Sequence, residues 1–152
     1  GKGVHTRGVY GWTPLHMAAI YGADGVAGKL LDKGAKVAAL DRTQMTPLHW
    51  AARKGKLAVV QLLLARGASV KARNAYDQTP LHEARTQQIA ALLLQKGADI
   101  HARDVDGMTP LHRAPTRMVA QFLISKGASI RARAKDGRTP LDMPPTVRPR
   151  SK

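Results

Sequence analysis

The sequence predicts an all-α protein, a solenoid of helix–turn–helix units joined by hairpin or turn fingers. Thr-Pro-Leu begins at Thr13, Thr46, Thr79, Thr109 and Thr139, in steps of 33, 33, 30 and 30 residues. Gly-Ala closes an apolar run at Gly34, Gly67, Gly97 and Gly127. The distance from each of these glycines to the next Thr is always 12 residues, whereas from Thr to the Gly of its own unit it is 21, 21, 18 and 18. A fixed period of this size marks stacked supersecondary units, each too small to bury its apolar face alone. The connector is constant, and the shortening lies inside the later units.

Each marker has a local physical job. Thr offers a side-chain oxygen to cap a helix N-terminus, and Pro fits the first helical position, where its missing N–H costs nothing. A first helix therefore starts at every Thr-Pro-Leu. The runs "VVQLLLAR", "IAALLLQK" and "VAQFLISK" place apolar residues at helical spacing with a basic residue in the last turn. The glycine that follows closes a second helix by taking the left-handed conformation. Connectors such as "GASVKARNAYDQ" mix β-branched residues with Asn, Asp and Gly, which suits an extended turn or hairpin finger.

The missing residues fall between the two helices. His49 to Val59 spans 10 positions, but His82 to Ile89 and His112 to Val119 span 7. The end of the first helix and the turn around Gly55 are gone. Thr86 and Thr116 stand three residues before the apolar position, where each can cap the second helix. Pro115 is incompatible with continuing the first helix of the fourth unit. Units three and four are thus expected to have a first helix about one turn shorter, with the second helices in unchanged register.

The ends differ from the middle. Residues 1–7 read as a frayed, flexible tail, and Gly25 and Gly28 weaken the second helix of the first unit by about 1 kcal/mol each against Ala. After "TPLDM", Pro144 and Pro145 prevent a full second helix, so residues 134–145 read as a truncated cap and 146–152 as a basic flexible tail. The repeat domain divides into 8–40, 41–73, 74–103, 104–133 and 134–145.

These residues resemble the ankyrin repeat family. "GWTPLHMAAIYG", "MTPLHWAARKG", "QTPLHEA", "GMTPLHRA" and "GRTPLD" are similar to its Thr-Pro-Leu-His-Xaa-Ala core, and "LLxxGA" with its variants to the end of its second helix. The resemblance covers residues 8 to 145. It implies an α-solenoid whose fingers and first helices form a concave surface for partner proteins.

Composition narrows the function. The chain has 152 residues, 25 Lys and Arg against 10 Asp and Glu, and a net charge of +15. Such a field favours acidic proteins, anionic surfaces or nucleic acid without choosing among them. No window approaches the ~18 apolar residues of a membrane span, so a soluble protein without membrane insertion is expected; it is read as a monomer, with an intracellular location favoured but not fixed. The absence of cysteine removes disulfides, thiol catalysis and cysteine-ligated zinc but leaves the compartment open. No cofactor is expected.

An enzyme is not expected either. There is no Gly-rich phosphate loop and no nucleophile elbow, and the adjacent Asp104 and Asp106 read as turn formers. His16, His49, His82 and His112 occupy one motif position and stack a repeat apart, far beyond the ~2.0 Å Zn–N bonds of a shared ion. A structural role, with imidazole bonded to backbone near the helix start, is the reading; Asp142 takes this position in the last copy.

Protein binding is the function expected, through positions that vary between copies. Before each Thr-Pro-Leu stand Tyr10 and Trp12, Arg42 and Met45, Tyr76, Met108, and Arg138. After it, on the first-helix side, stand Tyr21, Trp50, Arg53, Lys54 and Arg113. Aromatic and Met side chains beside Arg resemble interface anchors, although Trp50 packing between adjacent first helices, and Trp12 covering the end of the stack, are equal alternatives. At the finger bases Arg73, Arg103 and Arg133 share one position, with Lys71, His101 and Arg131 two residues earlier. A row of like charges repels unless an acidic surface offsets it; alternatively these are solvated flanks whose stems cover the fingers. An acidic protein is the first choice of partner. Non-specific binding of nucleic acid or another phosphate-rich ligand, or a passive scaffold role in a longer polypeptide, are the competing readings.

Overall fold

The computed structural model describes residues 2–143. Among them are seven α-helices and no strand. The first helices are α1 (Pro14–Tyr21), α3 (Pro47–Lys54) and α5 (Pro80–Glu83). The second helices are α2 (Asp24–Asp32), α4 (Leu57–Ala65), α6 (Gln87–Gln95) and α7 (Arg117–Ser125). Short 3-10 turns lie at Lys2–His5 and Pro140–Asp142.

The first helix or turn of units one to four begins with the same capping box. The Thr hydroxyl faces the backbone N–H of the His three residues on, and that imidazole Nδ1 accepts the Thr backbone N–H, at 3.0 Å for His16 and 3.2 Å for His49; in the last copy Asp142 Oδ2 accepts the Thr139 N–H instead, at 2.9 Å. The other ring nitrogen reaches the next unit: Nε2 meets the carbonyls of Met45, Gln78, Met108 and Arg138 at 2.8, 2.8, 2.9 and 3.0 Å. Since Nδ1 accepts and a carbonyl only accepts, Nε2 carries the proton. The expected structural role of these four histidines is what the geometry contains, and it extends to clamping neighbouring units.

Packing follows the repeat. First helices stack on first helices, α1 on α3 and α3 on α5, and second on second, α2 on α4 on α6 on α7. Leu15, Leu48, Leu81 and Leu111 point into one continuous core with Leu63, Leu93 and Leu123. Each leucine removed fully from water contributes about 1.5–3 kcal/mol.

The shortening is real and unequal. In the third unit α5 keeps four residues against eight in α1 and α3. In the fourth unit the first helix is reduced further than expected, to a turn over residues 110–113 held by Arg113 N–H to the Thr109 and Pro110 carbonyls. Pro115 explains the difference: it has no N–H to donate, whereas its counterpart Arg85 donates to the Ala52 carbonyl of the preceding unit. Thr86 and Thr116 cap α6 and α7 by accepting from Ile89 and Val119 N–H, both at 3.2 Å. All four second helices keep nine residues, so their stacking is undisturbed.

The first residues are organised as a finger. Val4 is buried in the core, and Arg7 bonds to the Gly11 and Leu40 carbonyls at 3.0 and 2.6 Å. The Pro144–Pro145 break and the basic tail, 146–152, lie outside the described residues.

Candidate partner-binding surface

Each of the three inner fingers is a pair of turns organised by one side chain. The Oδ1 of Asp41 accepts the N–H groups of Thr43 and Met45, both at 2.9 Å; Asn74 does the same for Tyr76 and Gln78, and Asp104 for Asp106 and Met108. One backbone bond then joins each finger to the next: Arg42 N–H to Tyr10, Ala75 to Thr43, Val105 to Tyr76 and Lys135 to Asp106, at 2.9–3.1 Å. Finger tips are therefore held in a row, and their side chains face out at fixed spacing.

The arginine row at the finger bases is bonded along its length. Arg73 Nη1 donates to the Asp77 carbonyl within its own finger at 2.8 Å and to the Arg103 carbonyl of the next at 2.9 Å. Arg103 repeats this to Gly107 and Arg133, both at 2.8 Å, and Arg133 reaches Gly137 at 2.9 Å. The like charges are spaced by their stems and directed at carbonyl dipoles.

The first-helix side divides into two halves. In units one and two, Trp12 and Trp50 meet edge to face at 5.6 Å, and Tyr10 lies 4.7 Å from Trp12. Asp41 Oδ2 fixes both indoles, accepting Trp12 Nε1 at 3.1 Å and Trp50 Nε1 at 2.7 Å. Burial pushes this carboxyl upward, but the bonds from Trp50, Met45 and Thr43 outweigh it and hold its pKa below the ordinary value. Arg53 sits 5.2 Å and Lys54 6.0 Å from the Trp50 ring centroid, in cation–π range. Trp50 thus both packs against its neighbour and borders the surface.

In units three and four the corresponding positions are ion-paired. Glu83, at the Trp50 position, binds Arg53 at 2.6 Å. Arg113, one unit on, binds Asp104 at 2.9 Å and Asp106 at 3.0 Å. Burial raises the Asp104 carboxyl and the Met108 N–H and Arg113 lower it, with the lowering dominant.

The expected contact residues separate accordingly. Tyr10, Tyr21, Arg42, Lys54 and Tyr76 are exposed, and Trp12 and Trp50 half-buried. Arg53, Arg113 and Arg138 reach the surface with carboxylate partners, Arg138 through Asp136 at 2.6 Å. Arg73, Arg103 and Arg133 lie in the carbonyl-bonded row. Met45 and Met108 belong inside: only 2% and 4% exposed, they fill the space beneath their fingers and offer a partner no surface.

Two features escaped the sequence reading. Asp41 stands 29 residues from Trp12 and 9 from Trp50, so their meeting has no mark in the sequence; the available signal was that it takes the finger position of Asn74 and Asp104. Residues 1–7 repeat the finger-base spacing Gly1…Val4…Arg7 that recurs as Gly34…Val37…Leu40 and Gly67…Val70…Arg73.

Among the described residues, no group of three or more His, Asp or Glu side chains is placed to hold a metal ion, and no helix is long and apolar enough to cross a membrane. A family model described as ankyrin repeats in three copies matches residues 2–74 and 38–104, and one described as ankyrin repeat matches residues 106–135. No curated protein matches the chain.

Proposed function

The chain belongs to the ankyrin repeat family, whose repeats are protein-interaction modules, and we propose that it is a non-enzymatic module that binds an acidic protein segment through the aromatic and basic half of its first-helix side. The observation that carries this is the cluster of Tyr10, Trp12 and Trp50 under Arg53 and Lys54. Rigid aromatic area beside cations suits a segment carrying carboxylates and an apolar anchor. The charge imbalance supports the acidic choice: Arg42, Lys54, Lys56 and Arg85 have no carboxylate partner among the described residues.

Glu83 and Arg113 bound the site. Glu83 takes up the charge of Arg53, and Asp104 and Asp106 that of Arg113, so Arg42 and Lys54, not ion-paired among the described residues, carry the attraction for an acidic ligand. The row of Arg73, Arg103 and Arg133 acts chiefly as a tie between fingers.

The test is a pull-down with acidic competitors, run beside titrations with DNA and RNA at two salt concentrations. Recovery of an acidic protein at moderate salt, without nucleic acid, supports this reading. Tight nucleic-acid binding that falls steeply with salt places the chain in the phosphate-binding class instead.

A further inference from the structure

The end face of unit one is an interface left open. Val9, Tyr10, Pro14, Met17, Tyr21 and Val26 line a cleft of about 720 Å³ that is almost wholly apolar. The counterparts of Val26 and Pro14 deeper in the stack are covered. Val26 is 54% exposed, while Val59, Ile89 and Val119 at the same position are 0, 0 and 1% exposed. Pro47, Pro80 and Pro110 are buried, whereas Pro14 is only half-buried.

The polar part of the interface is vacant in the same register. Met45, Gln78, Met108 and Arg138 each accept a histidine Nε2–H from the preceding unit, but Trp12, their counterpart, accepts only the Gly8 N–H. Arg42, Ala75, Val105 and Lys135 each donate a backbone N–H to the preceding finger, but the matching Val9 N–H has no partner among the described residues. Residues 2–7 already form the finger base that elsewhere follows a second helix, with Val4 buried and Arg7 in the arginine row.

We propose that this face is a docking surface for one more helix–turn–helix unit of the same repeat type, joined ahead of the finger and seated in the register the other units use. The occupant is specified by the interface it continues: an apolar face over Pro14, Met17 and Val26, a first-helix histidine donating to the Trp12 carbonyl, and a finger-tip carbonyl accepting from Val9. This rests on the inter-unit contacts and is independent of which ligand the first-helix side takes.

The test joins a copy of residues 41–66 directly to Gly1, which places the copied His49 and Thr43 opposite Trp12 and Val9. Added helix content, a Tm rise of about 5 °C or more and at least about tenfold slower exchange of the Val9 amide are expected. Val26→Lys should change the Tm of the unextended chain by less than about 2 °C, as an exposed position does, yet cancel most of the rise in the extended one. An equal effect of Val26→Lys in both chains, or a copy that adds no helix, overturns the proposal. So does concentration-dependent self-association of the unextended chain that Val26→Lys abolishes, because a second copy then owns the face.

Discussion

Arg73 donates its Nη1 hydrogen to the backbone carbonyl of Arg103 at 2.9 Å, so a residue that looks like one rung of a charged ladder is also a tie between two fingers. The row is interrupted once: Leu40 occupies the position between Arg7 and Arg73. Replacing Arg103 by Ala removes bonds to both Gly107 and Arg133 and should cost about 1 kcal/mol, since these are charge-assisted but largely solvent-exposed. Leu40→Arg should recover a similar amount by reaching the Arg73 carbonyl. Urea unfolding midpoints of the two variants check both signs.

Asp41 serves two purposes that a substitution can separate. Asn74 shows that an amide oxygen is enough to organise the finger turn. Asp41→Asn should therefore keep the turn but present an N–H₂ group to the indoles of Trp12 and Trp50. A loss of about 1–2 kcal/mol and a change in tryptophan emission are expected. Both tryptophans of the chain report on this one carboxylate, so fluorescence reads it directly.

The histidine clamps make the fold sensitive to acid. Burial lowers the pKa values of His16, His49 and His82 below the ordinary imidazole value, against the opposing bonds to the Met45, Gln78 and Met108 carbonyls. The unfolded chain then binds more protons than the folded one, so their contribution is complete above the unfolded pKa and is lost as pH falls through it toward the folded value. Protonation also places a hydrogen on Nδ1 against the Thr N–H of the capping box. Thermal unfolding at about pH 8 and about pH 5 should show the lower Tm in acid; an unchanged Tm would remove the histidines from the stability of the stack.

Thr86 and Thr116 replace a deleted turn, and their value is measurable. Each to Ala should cost about 1 kcal/mol. Lys56 at the equivalent cap of α4 makes no side-chain cap bond, so Lys56→Ala should cost nothing through capping. Denaturant melts of the three variants compare them.

Much of this architecture was legible because it rests on short-range rules. Thr-Pro-Leu-His fixes a cap, a first turn and a buried leucine within four residues, and Thr86 and Thr116 announce their caps by spacing alone. The arginine row was visible, but its partners are backbone carbonyls, which no side-chain pattern reveals. Met45 and Met108 looked like contacts because they stand beside exposed tip residues, yet the turn that Asp41 or Asp104 organises carries them inward. The first helix of unit four is shorter than that of unit three for a reason the residue count cannot give: Pro115 lacks the hydrogen that Arg85 uses to tie its chain to Ala52. The finger base at residues 2–7 escaped for want of a Thr-Pro-Leu before it, although Gly1, Val4 and Arg7 stand at repeat spacing in the sequence.

Arg42 and Lys54, beside the Tyr10, Trp12 and Trp50 cluster, attract the acidic ligand, while Arg73, Arg103 and Arg133 hold the fingers together. Titration of poly-L-glutamate at moderate salt, followed by tryptophan emission, separates the two roles. Arg42→Glu with Lys54→Glu should weaken binding about tenfold or more, a loss of about 1.4 kcal/mol, with the fold retained, because neither side chain has a carboxylate partner among the described residues. Changing Arg73, Arg103 and Arg133 together to Ala should lower Tm and leave the affinity of the folded protein within about twofold. Unchanged binding in the first variant, with binding lost in the second, would assign the ligand to the arginine row instead.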